Sequence, residues 1–247
     1  MRKLSEGNVY HVVTRGTGRQ LIFENDSDRT LFLRLLAKGL NEHEAELYAW
    51  CLMGNHVHLL IHAPLQTVSA LMKQVLGTYA LIFNKNTGRV GHLFQSRFSS
   101  EPITDDEYLL TVIRYIHNNP VKAGLSSADA YRWSSYREYI AGARICQTEF
   151  PLTVFGGINE FKRFHQQDDS KDTCLDMDEL DNEAKPASNE RAIEVLRQTL
   201  EDIDPQNVKA LPTSERNDCL RALKSAGLSV RQIERLTGIG RNTVSRA

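Results

Sequence analysis

The spacing of apolar residues changes several times along the first 120 residues, and this change most constrains the fold. Alternating apolar and polar residues predict strands, whereas apolar residues three and four apart predict helices. In chain order the pattern predicts a strand, a helix, two strands, a helix, an extended segment and a helix. We therefore predict an α+β domain, a ferredoxin-like palm in which helices pack on a central antiparallel sheet.

The predicted elements have definite bounds. The strand NVYHVVTRG precedes a helix over 25–44 that Asn25, Asp26 or Ser27 caps, and two strands over 45–64 meet at the turn Met53-Gly54-Asn55. Further on lie a helix over 67–85 with a polar turn at 84–88, an extended segment over 89–103 and a helix over 105–119. Proline disfavours helical backbone in the residue before it, so we expect Pro120 to end the last helix.

Charge and composition divide the chain into three regions. Residues 1–165 carry 18 basic and 15 acidic side chains, residues 166–187 carry 2 and 8, and residues 205–247 carry 8 and 3. The acidic stretch has few large apolar residues and cannot order itself by burial. We predict a first domain over 1–150, a partly acidic linker over 151–187, and a small all-α domain over 188–247.

Composition also bears on the compartment. No stretch is long and apolar enough for a membrane span, and the N-terminus lacks the apolar core of an export signal. Four cysteines are scattered without a C-x-x-C pair, which fits neither a disulfide framework nor a zinc ribbon. We expect a cytoplasmic protein with reduced cysteines and no membrane partner.

Two histidines in NHVHLLIH are the first candidate site. His56 and His58 are two apart on a predicted strand, so their side chains point to one face and can bind a divalent metal together. Two half-exposed surface histidines would give the same pattern. His62 shares that face but lies two residue pairs along the strand, and we interpret it as structural.

Tyr115 and Asn119 are the second candidate site. They are four apart on the predicted helix over 105–119, so they share a face and place a nucleophile beside an amide oxygen. Such an oxygen suits Mg²⁺ or Mn²⁺. The neighbouring Asn118 or His117 could take its place, and Tyr115 could instead be an ordinary packing residue. A free phenol has a pKa of about 10, so attack needs a metal ion that stabilises the developing charge.

Together these segments resemble the HUH family of single-strand nucleases, specifically the single-tyrosine transposases and the REP-associated tyrosine transposases. GNHVHLLI resembles the family's histidine strand, and RYIHNNPVKAGL resembles its tyrosine helix and the segment that follows. VTRGTGRQLIFE, GHLFQSRFSSEPI and YRWSSYREYI resemble further blocks, so the resemblance covers roughly residues 6–142.

The resemblance implies a mechanism and a site. His56, His58 and Asn119 would bind Mg²⁺ or Mn²⁺, and Tyr115 would form a 5′-phosphotyrosine while a 3′-OH is released. The DNA would be single-stranded and presented as an imperfect palindromic hairpin. We also expect DNA contacts from a wider set of side chains, with Phe94 or Phe98 stacking on a base: Arg15, Arg19, Gln95 and Arg97. Related transposases work as monomers or as homodimers.

The C-terminal segment LRALKSAGLSVRQIERLTGIGRNTVSRA has the pattern of a helix-turn-helix. One helix ends at Gly227, a second starts after the cap Ser229, a turn lies at 238–240, and a recognition helix opens near Arg241. The side chains that would face duplex DNA are Arg241, Asn242, Thr243, Ser245 and Arg246. A small helical bundle for docking or dimerisation would give the same pattern.

Three functions compete. The first is an enzyme that cleaves and rejoins single-stranded DNA at palindromic hairpins. The second is a sequence-specific DNA-binding regulator with a vestigial nuclease site. The third is a metal-dependent phosphohydrolase that releases its product without a covalent adduct. The first is favoured because the nucleophile and all three proposed ligands are present.

Overall fold

The computed structural model describes residues 4–167, 174–175, 208–209, 211–228 and 230–247. Contacts divide the chain into two compact units, Met1–Met177 and Asp178–Ala247, which are considered separately below. Within the described ranges, no helix is both long enough and apolar enough to cross a membrane.

Four antiparallel strands form the sheet of the first unit. They are β1 (Val9–Arg15), β2 (Glu46–Leu52), β3 (His56–His62) and β4 (Ser99–Pro102), in the order β2-β3-β1-β4. The turn Met53-Gly54-Asn55 joins β2 to β3, as predicted. This strand order, with one helix after β1 and another after β3, is the ferredoxin-like arrangement and confirms the predicted α+β class.

Two long helices cover one face of the sheet. Helix α1 (Asp26–Glu42) begins at the cap Asn25, whose side chain accepts a bond from the backbone of Asp28 in a capping box. Helix α2 (Leu65–Thr87) crosses α1 closely at Gly39, where an added Cβ would come within 2.7 Å of a Leu71 methyl group. Both helices bury their apolar faces against alternate strand residues, including Tyr10, Val12, Val57, Leu59 and Ile61.

Four further helices cover the other face. Helix α3 (Asp106–Lys122) packs on β2 and β3, and behind it lie α4 (Tyr136–Ala141), α5 (Glu149–Phe155) and α6 (Ile158–His165). Their apolar residues share a second core with the opposite set of strand residues, among them Ala49, Cys51 and Leu60. The sheet is therefore buried on both faces, and α3 faces the side to which His56 and His58 point.

The structure corrects three sequence-based expectations. Residues 151–165, predicted as linker, belong to α5 and α6, where Phe155 and Phe161 pack into the second core. Helix α2 runs through the expected turn at 84–88 and ends at Thr87, before the left-handed Gly88. Helix α3 continues through Pro120 to Lys122.

Pro120 is tolerated because it lies in the last turn of α3. Its missing N–H removes one helical hydrogen bond, but the following turn still closes through the N–H groups of Ala123 and Leu125, which donate to the carbonyls of Asn119 and Pro120. Asn119 therefore stays helical, contrary to the expectation that proline would displace it.

The second unit contains three described helices. They are α7 (Thr213–Ser225), α8 (Val230–Thr237) and α9 (Arg241–Arg246), and they share an apolar core of their own that includes Leu220, Ile233 and Val244. Their bounds agree with the predicted helices and with the turn at 238–240. The proposed cap Ser229 and most of the predicted linker over 166–187 lie outside the described residues.

Candidate active site

The alternation of β3 separates its side chains as predicted. Val57 and Leu59 are buried in the core against α1 and α2, whereas His56 and His58 lie on the face that α3 covers. His58 is almost completely buried and His56 is half-buried, with their ring centroids 5.0 Å apart. His62, at the far end of the strand, bonds to Glu46 at 2.9 Å and does not join them.

Tyr115 projects from α3 onto this face. Its ring centroid lies 5.7 Å from that of His58, and the two rings meet edge to face. The tyrosine is only 4% exposed, so the surrounding core holds its position. The predicted nucleophile and the histidine pair are thus brought together within one chain.

His11 on β1 is a member of the cluster that the sequence analysis missed. It is fully buried, its Nε2 lies 3.0 Å from Nδ1 of His58, and its ring centroid lies 5.9 Å from that of Tyr115. His11 stands beside Leu60 in the register of β1 and β3, one step along the same face from His58. Only the strand register, which a local pattern does not reveal, identifies it.

A hydrogen bond assigns the proton of His56, and a contact with His11 bears on that of His58. Nδ1 of His56 lies 2.7 Å from the amide oxygen of Asn55, which can only accept, so this nitrogen carries the proton and the lone pair lies on Nε2. The contact between His58 Nδ1 and His11 allows the same tautomer in His58. Metal-binding histidines usually have one nitrogen fixed in this way while the other coordinates the ion.

Burial also favours the neutral form of His58. Desolvation, assisted by the neighbouring His56 and His11, holds the pKa of His58 well below its ordinary value of 6.5. A neutral imidazole is the form that binds a metal ion. The electrostatics of the site are therefore compatible with a cation between the rings.

Asn119 offers the remaining oxygen. Its amide nitrogen donates to the carbonyl of Tyr115 at 3.1 Å, which orients the side chain and leaves Oδ1 as its acceptor end. Within the described ranges, no three His, Cys, Asp or Glu side chains are grouped to hold an ion. Two imidazoles and one amide oxygen fit a divalent cation that keeps open positions for phosphate.

The alternative His117 is excluded by its surroundings. It lies on the side of α3 away from Tyr115, where its two nitrogens contact Ser135 and His165 at 2.8 and 2.9 Å. Asn118 is also buried, at 7% exposed. Asn119, one helical turn after Tyr115, stays the predicted ligand.

Two cationic side chains border the site. The Lys122 ammonium lies 4.5 Å from the centroid of the Tyr115 ring, a contact that the sequence analysis did not anticipate. Arg15, a predicted DNA contact, is directly opposite His56 in the strand register and is 6% exposed. Positive charge on both sides of the site is suited to a phosphodiester.

The other predicted DNA contacts lie at the same end of the sheet. Arg19 is in a short 3₁₀ turn after β1, where its carbonyl accepts a bond from Asn55. The segment over 94–98 runs beside β1, since the Gln95 N–H donates to the carbonyl of Arg15, and the side chains of Gln95 and Arg97 are exposed. Phe94 is half-buried, whereas Phe98 belongs to the core against α1 and α2 and cannot stack on a base.

In the second unit, α9 presents the predicted polar face. Asn242, Thr243, Ser245 and Arg246 are exposed, and Val244 between them is buried in the small core. The side chain of Arg241 lies outside the described part of the structure.

Comparison with known proteins gives structural and family matches. A REP-associated tyrosine transposase bound to a REP hairpin is 18% identical, with a TM-score of 0.47 over 57% of this chain and 84% of that one. A protein from Deinococcus radiodurans R1, described as a transposase, is 19% identical, with a TM-score of 0.34 over 48% of this chain and 95% of that one. No curated protein sequence matches.

The family comparison is more direct because it rests on sequence. Residues 5–119 match the model of the family described as "Transposase IS200 like". The matched segment begins before β1 and ends at Asn119, so it contains His11, His56, His58 and Tyr115. This segment, a little under half of the chain, is therefore similar to the IS200-like transposases, enzymes that cleave DNA and transfer its strands.

Proposed function

We propose that this protein cleaves and rejoins single-stranded DNA at palindromic, REP-like hairpins through a covalent bond to Tyr115. The observation that carries the proposal is the position of Tyr115, edge to face with His58 at 5.7 Å between ring centroids and four residues before Asn119. His56, His58 and Asn119 would hold Mg²⁺ or Mn²⁺. When bound, the ion would withdraw charge from the phosphate and from the oxygens that enter and leave.

The protein side chains have distinct tasks in the cleavage step. The Tyr115 oxygen attacks phosphorus, the bond from phosphorus to the 3′-oxygen breaks, and a 5′-phosphotyrosine forms. The phenolic proton is lost, and the departing 3′-oxygen takes up a proton to become a hydroxyl group. Lys122, at 4.5 Å from the ring centroid, would stabilise the negative charge that develops on the phenolic oxygen.

Arg15 would position the phosphate. Its place opposite His56, on a rigid strand, allows the guanidinium group to bind a phosphate oxygen beside the reacting centre. The reverse reaction needs no external energy, because another 3′-OH attacks the phosphotyrosine and displaces the Tyr115 oxygen. Strand transfer follows when the attacking 3′-OH belongs to a different DNA end.

The test is covalent capture. Wild-type protein incubated with labelled hairpin DNA carrying single-stranded flanks, in Mg²⁺ or Mn²⁺, should give a protein-DNA adduct that resists denaturing electrophoresis. Tyr115→Phe should remove the adduct, whereas Tyr108→Phe, a tyrosine seven residues earlier on α3, should retain it. Product release without an adduct would favour a phosphohydrolase, and an adduct that persists in Tyr115→Phe would overturn the assignment.

We also propose that one chain forms a complete site, since Tyr115 and the histidines meet within the same unit. Mixing Tyr115→Phe chains with His56→Ala chains tests this directly. If each site is formed within one chain, every site in the mixture lacks either Tyr115 or His56, so the mixture should form no adduct. Restored activity would show that the tyrosine helix is exchanged between copies.

A second candidate function has its own observation. The three helices of the second unit share a separate core, and α9 exposes Asn242 and Arg246. These side chains suit contacts to bases and phosphates of duplex DNA. If the protein is a regulator, the Tyr115→Phe variant should still bind one duplex sequence more tightly than others, and Asn242→Ala should lose that selectivity. Equal binding to all duplexes would argue against this function.

A further inference from the structure

A cleft outside the candidate active site is bordered by arginines. It measures about 500 Å³ and lies where the start of α1 approaches the segment over 130–145, beside the edge strand β2. Its lining includes Trp50, Trp133 and three exposed arginines, Arg132, Arg137 and Arg144.

Asp26 and Trp133 fix the first arginine. The Arg132 guanidinium bonds to Asp26 at 2.9 Å and lies 4.8 Å from the centroid of the Trp133 ring, while its side chain remains 66% exposed. Arg29 approaches the same ring at 5.6 Å, and the indole N–H donates to Asp26. The tryptophan thus supports two guanidinium groups.

Backbone carbonyls fix the second arginine. Arg137 donates from Nε to the carbonyl of Asp129 at 3.0 Å and from Nη2 to that of Ala130 at 3.3 Å. Carbonyl acceptors orient a guanidinium group without cancelling its charge. The Asp129 carboxylate also interacts electrostatically with Arg137, but it is at the surface, where water screens the interaction.

One carboxylate lies inside the cleft and is held by neutral donors. Glu138 is 6% exposed and accepts four hydrogen bonds at 2.7 to 3.0 Å, from the Trp50 indole and from the backbone N–H groups of residues 144–146. These neutral donors fix the carboxylate but leave its negative charge in place. Around the cleft, four arginines (Arg29, Arg132, Arg137 and Arg144) therefore face three carboxylates (Asp26, Asp129 and Glu138), which leaves an excess of one positive charge.

We propose that this cleft binds the phosphate backbone of duplex DNA, namely the stem of the hairpin whose flanking strand Tyr115 attacks. The inference rests on the proposed function for the identity of the DNA. Phosphate recognition by arginine needs oriented guanidinium groups, which the cleft supplies. Binding of single strands usually relies on bases stacking on aromatic rings, but the Trp133 ring already contacts two arginines.

The location agrees with one DNA molecule reaching both sites. The Leu52 N–H donates to the carbonyl of Trp133 at 2.8 Å, so the segment over 131–135 runs along the outer edge of β2, and Cys51 of β2 pairs with His58. Two strand spacings, about 10 Å, therefore separate this segment from the histidine strand. Trp50 and α1 line the cleft on the sheet face opposite the histidines, so the flank of a stem bound there would pass around the outer edge of β2 to reach them.

The experiment measures how salt weakens binding. Full-length protein in EDTA is titrated against a fluorescent DNA hairpin with a 5′ single-stranded flank, between 50 and 200 mM salt. Each phosphate contact contributes about 0.9 to the slope of log K against log salt concentration. The double variant Arg137→Gln/Arg144→Gln should reduce the magnitude of this negative slope by about 2. The triple variant that also carries Arg132→Gln should reduce it by about 3 in total.

Arg163→Gln is the matched control, since Arg163 is exposed on α6 away from the cleft and pairs with Glu160. It should leave the slope unchanged, and thermal unfolding should show that every variant is folded. An unchanged slope in the double variant, an equal fall in the control, or an equal loss of binding to oligo(dT) would overturn the proposal. Absence of a Tyr115 adduct would refute the proposed function but leave this salt dependence intact.

Discussion

Two histidine clusters lie on opposite sides of helix α3, and they differ in their surroundings: the first lies beside Tyr115, and the second lies among the aromatic rings of α4 and α6. In the first, the bond to Asn55 places the proton of His56 on Nδ1, and the contact with His11 allows the same tautomer in His58. In the second, His117 contacts Ser135 and His165 with its two nitrogens, and His165 donates from Nδ1 to the carbonyl of Phe161. We propose that the first set binds an ion, whereas both ring nitrogens of His117 contact other side chains of the second set.

The second cluster has a structural task. Its chain of contacts joins α3 to α6 through His165 and to the segment beside β2 through Ser135, and aromatic rings of α4 and α6 surround it. Histidine content alone would not distinguish the two clusters. The proposed difference is in role, metal binding for the first cluster and packing for the second, and four predictions test this distinction.

The largest effect is expected on removing a ligand from the first cluster. His56→Ala should weaken Mn²⁺ binding by more than about 100-fold, because loss of a ligand should exceed the 10- to 100-fold effect of losing an outer-shell partner. Calorimetric titration with Mn²⁺ measures it. His62→Ala on the same strand is the control, and an equal loss of affinity there would refute the assignment.

The next effect concerns the stability of the second cluster. His117→Ala should lower the free energy of unfolding by about 3 kcal/mol, because it leaves a cavity and removes the partner of two buried polar groups. Urea denaturation measures this loss. Mn²⁺ affinity should stay at the wild-type value, and a large fall in that affinity would mean that the two clusters are not separate in function.

A smaller effect is expected from His11, whose contact with Nδ1 of His58 allows the metal-binding tautomer of that ring. His11→Ala should reduce Mn²⁺ affinity by about 10-fold or more, the range found for outer-shell partners of metal ligands. His11→Gln supplies an amide oxygen that can accept from Nδ1 of His58 and should restore much of the affinity. If alanine and glutamine variants bind Mn²⁺ equally well, His11 only fills space.

The smallest effect is a pH dependence of stability. Burial holds the pKa of His117 and of His58 well below 6.5, so the unfolded chain takes up protons first as the pH falls. Stability is therefore complete above pH 6.5 and falls below it by up to about 1.4 kcal/mol per pH unit for each histidine. His117→Asn in EDTA should show a shallower slope, and an unchanged slope would contradict the assigned neutral state.

Local patterns predicted the strands and helices that carry His56, His58 and Tyr115, because alternation and helical spacing are properties of short segments. His11 could not be predicted in this way, since its contact with His58 depends on the register of strands 47 residues apart. Helices α5 and α6 were interpreted as linker for a similar reason. Their short apolar segments become ordered only through contacts with α3 and with each other.

Pro120 shows the limit of a local rule. The expectation that proline ends a helix is sound for an isolated segment, but in α3 the following turn closes around it and keeps Asn119 helical. Asn119 therefore lies on α3 with Tyr115, as predicted, whereas the expectation that Pro120 ends the helix was wrong. Whether Asn119 binds the ion stays a prediction.

The two outer strands of the sheet differ in their capacity to recruit further strands. The outer edge of β2 is covered, since Leu52 and Trp50 bond with the backbone of Trp133 and Ser135. The other edge is β4, which has only four residues and ends in Pro102, a residue that has no N–H to donate. A second copy thus finds little open backbone for sheet extension, which protects the folded unit from edge-to-edge aggregation.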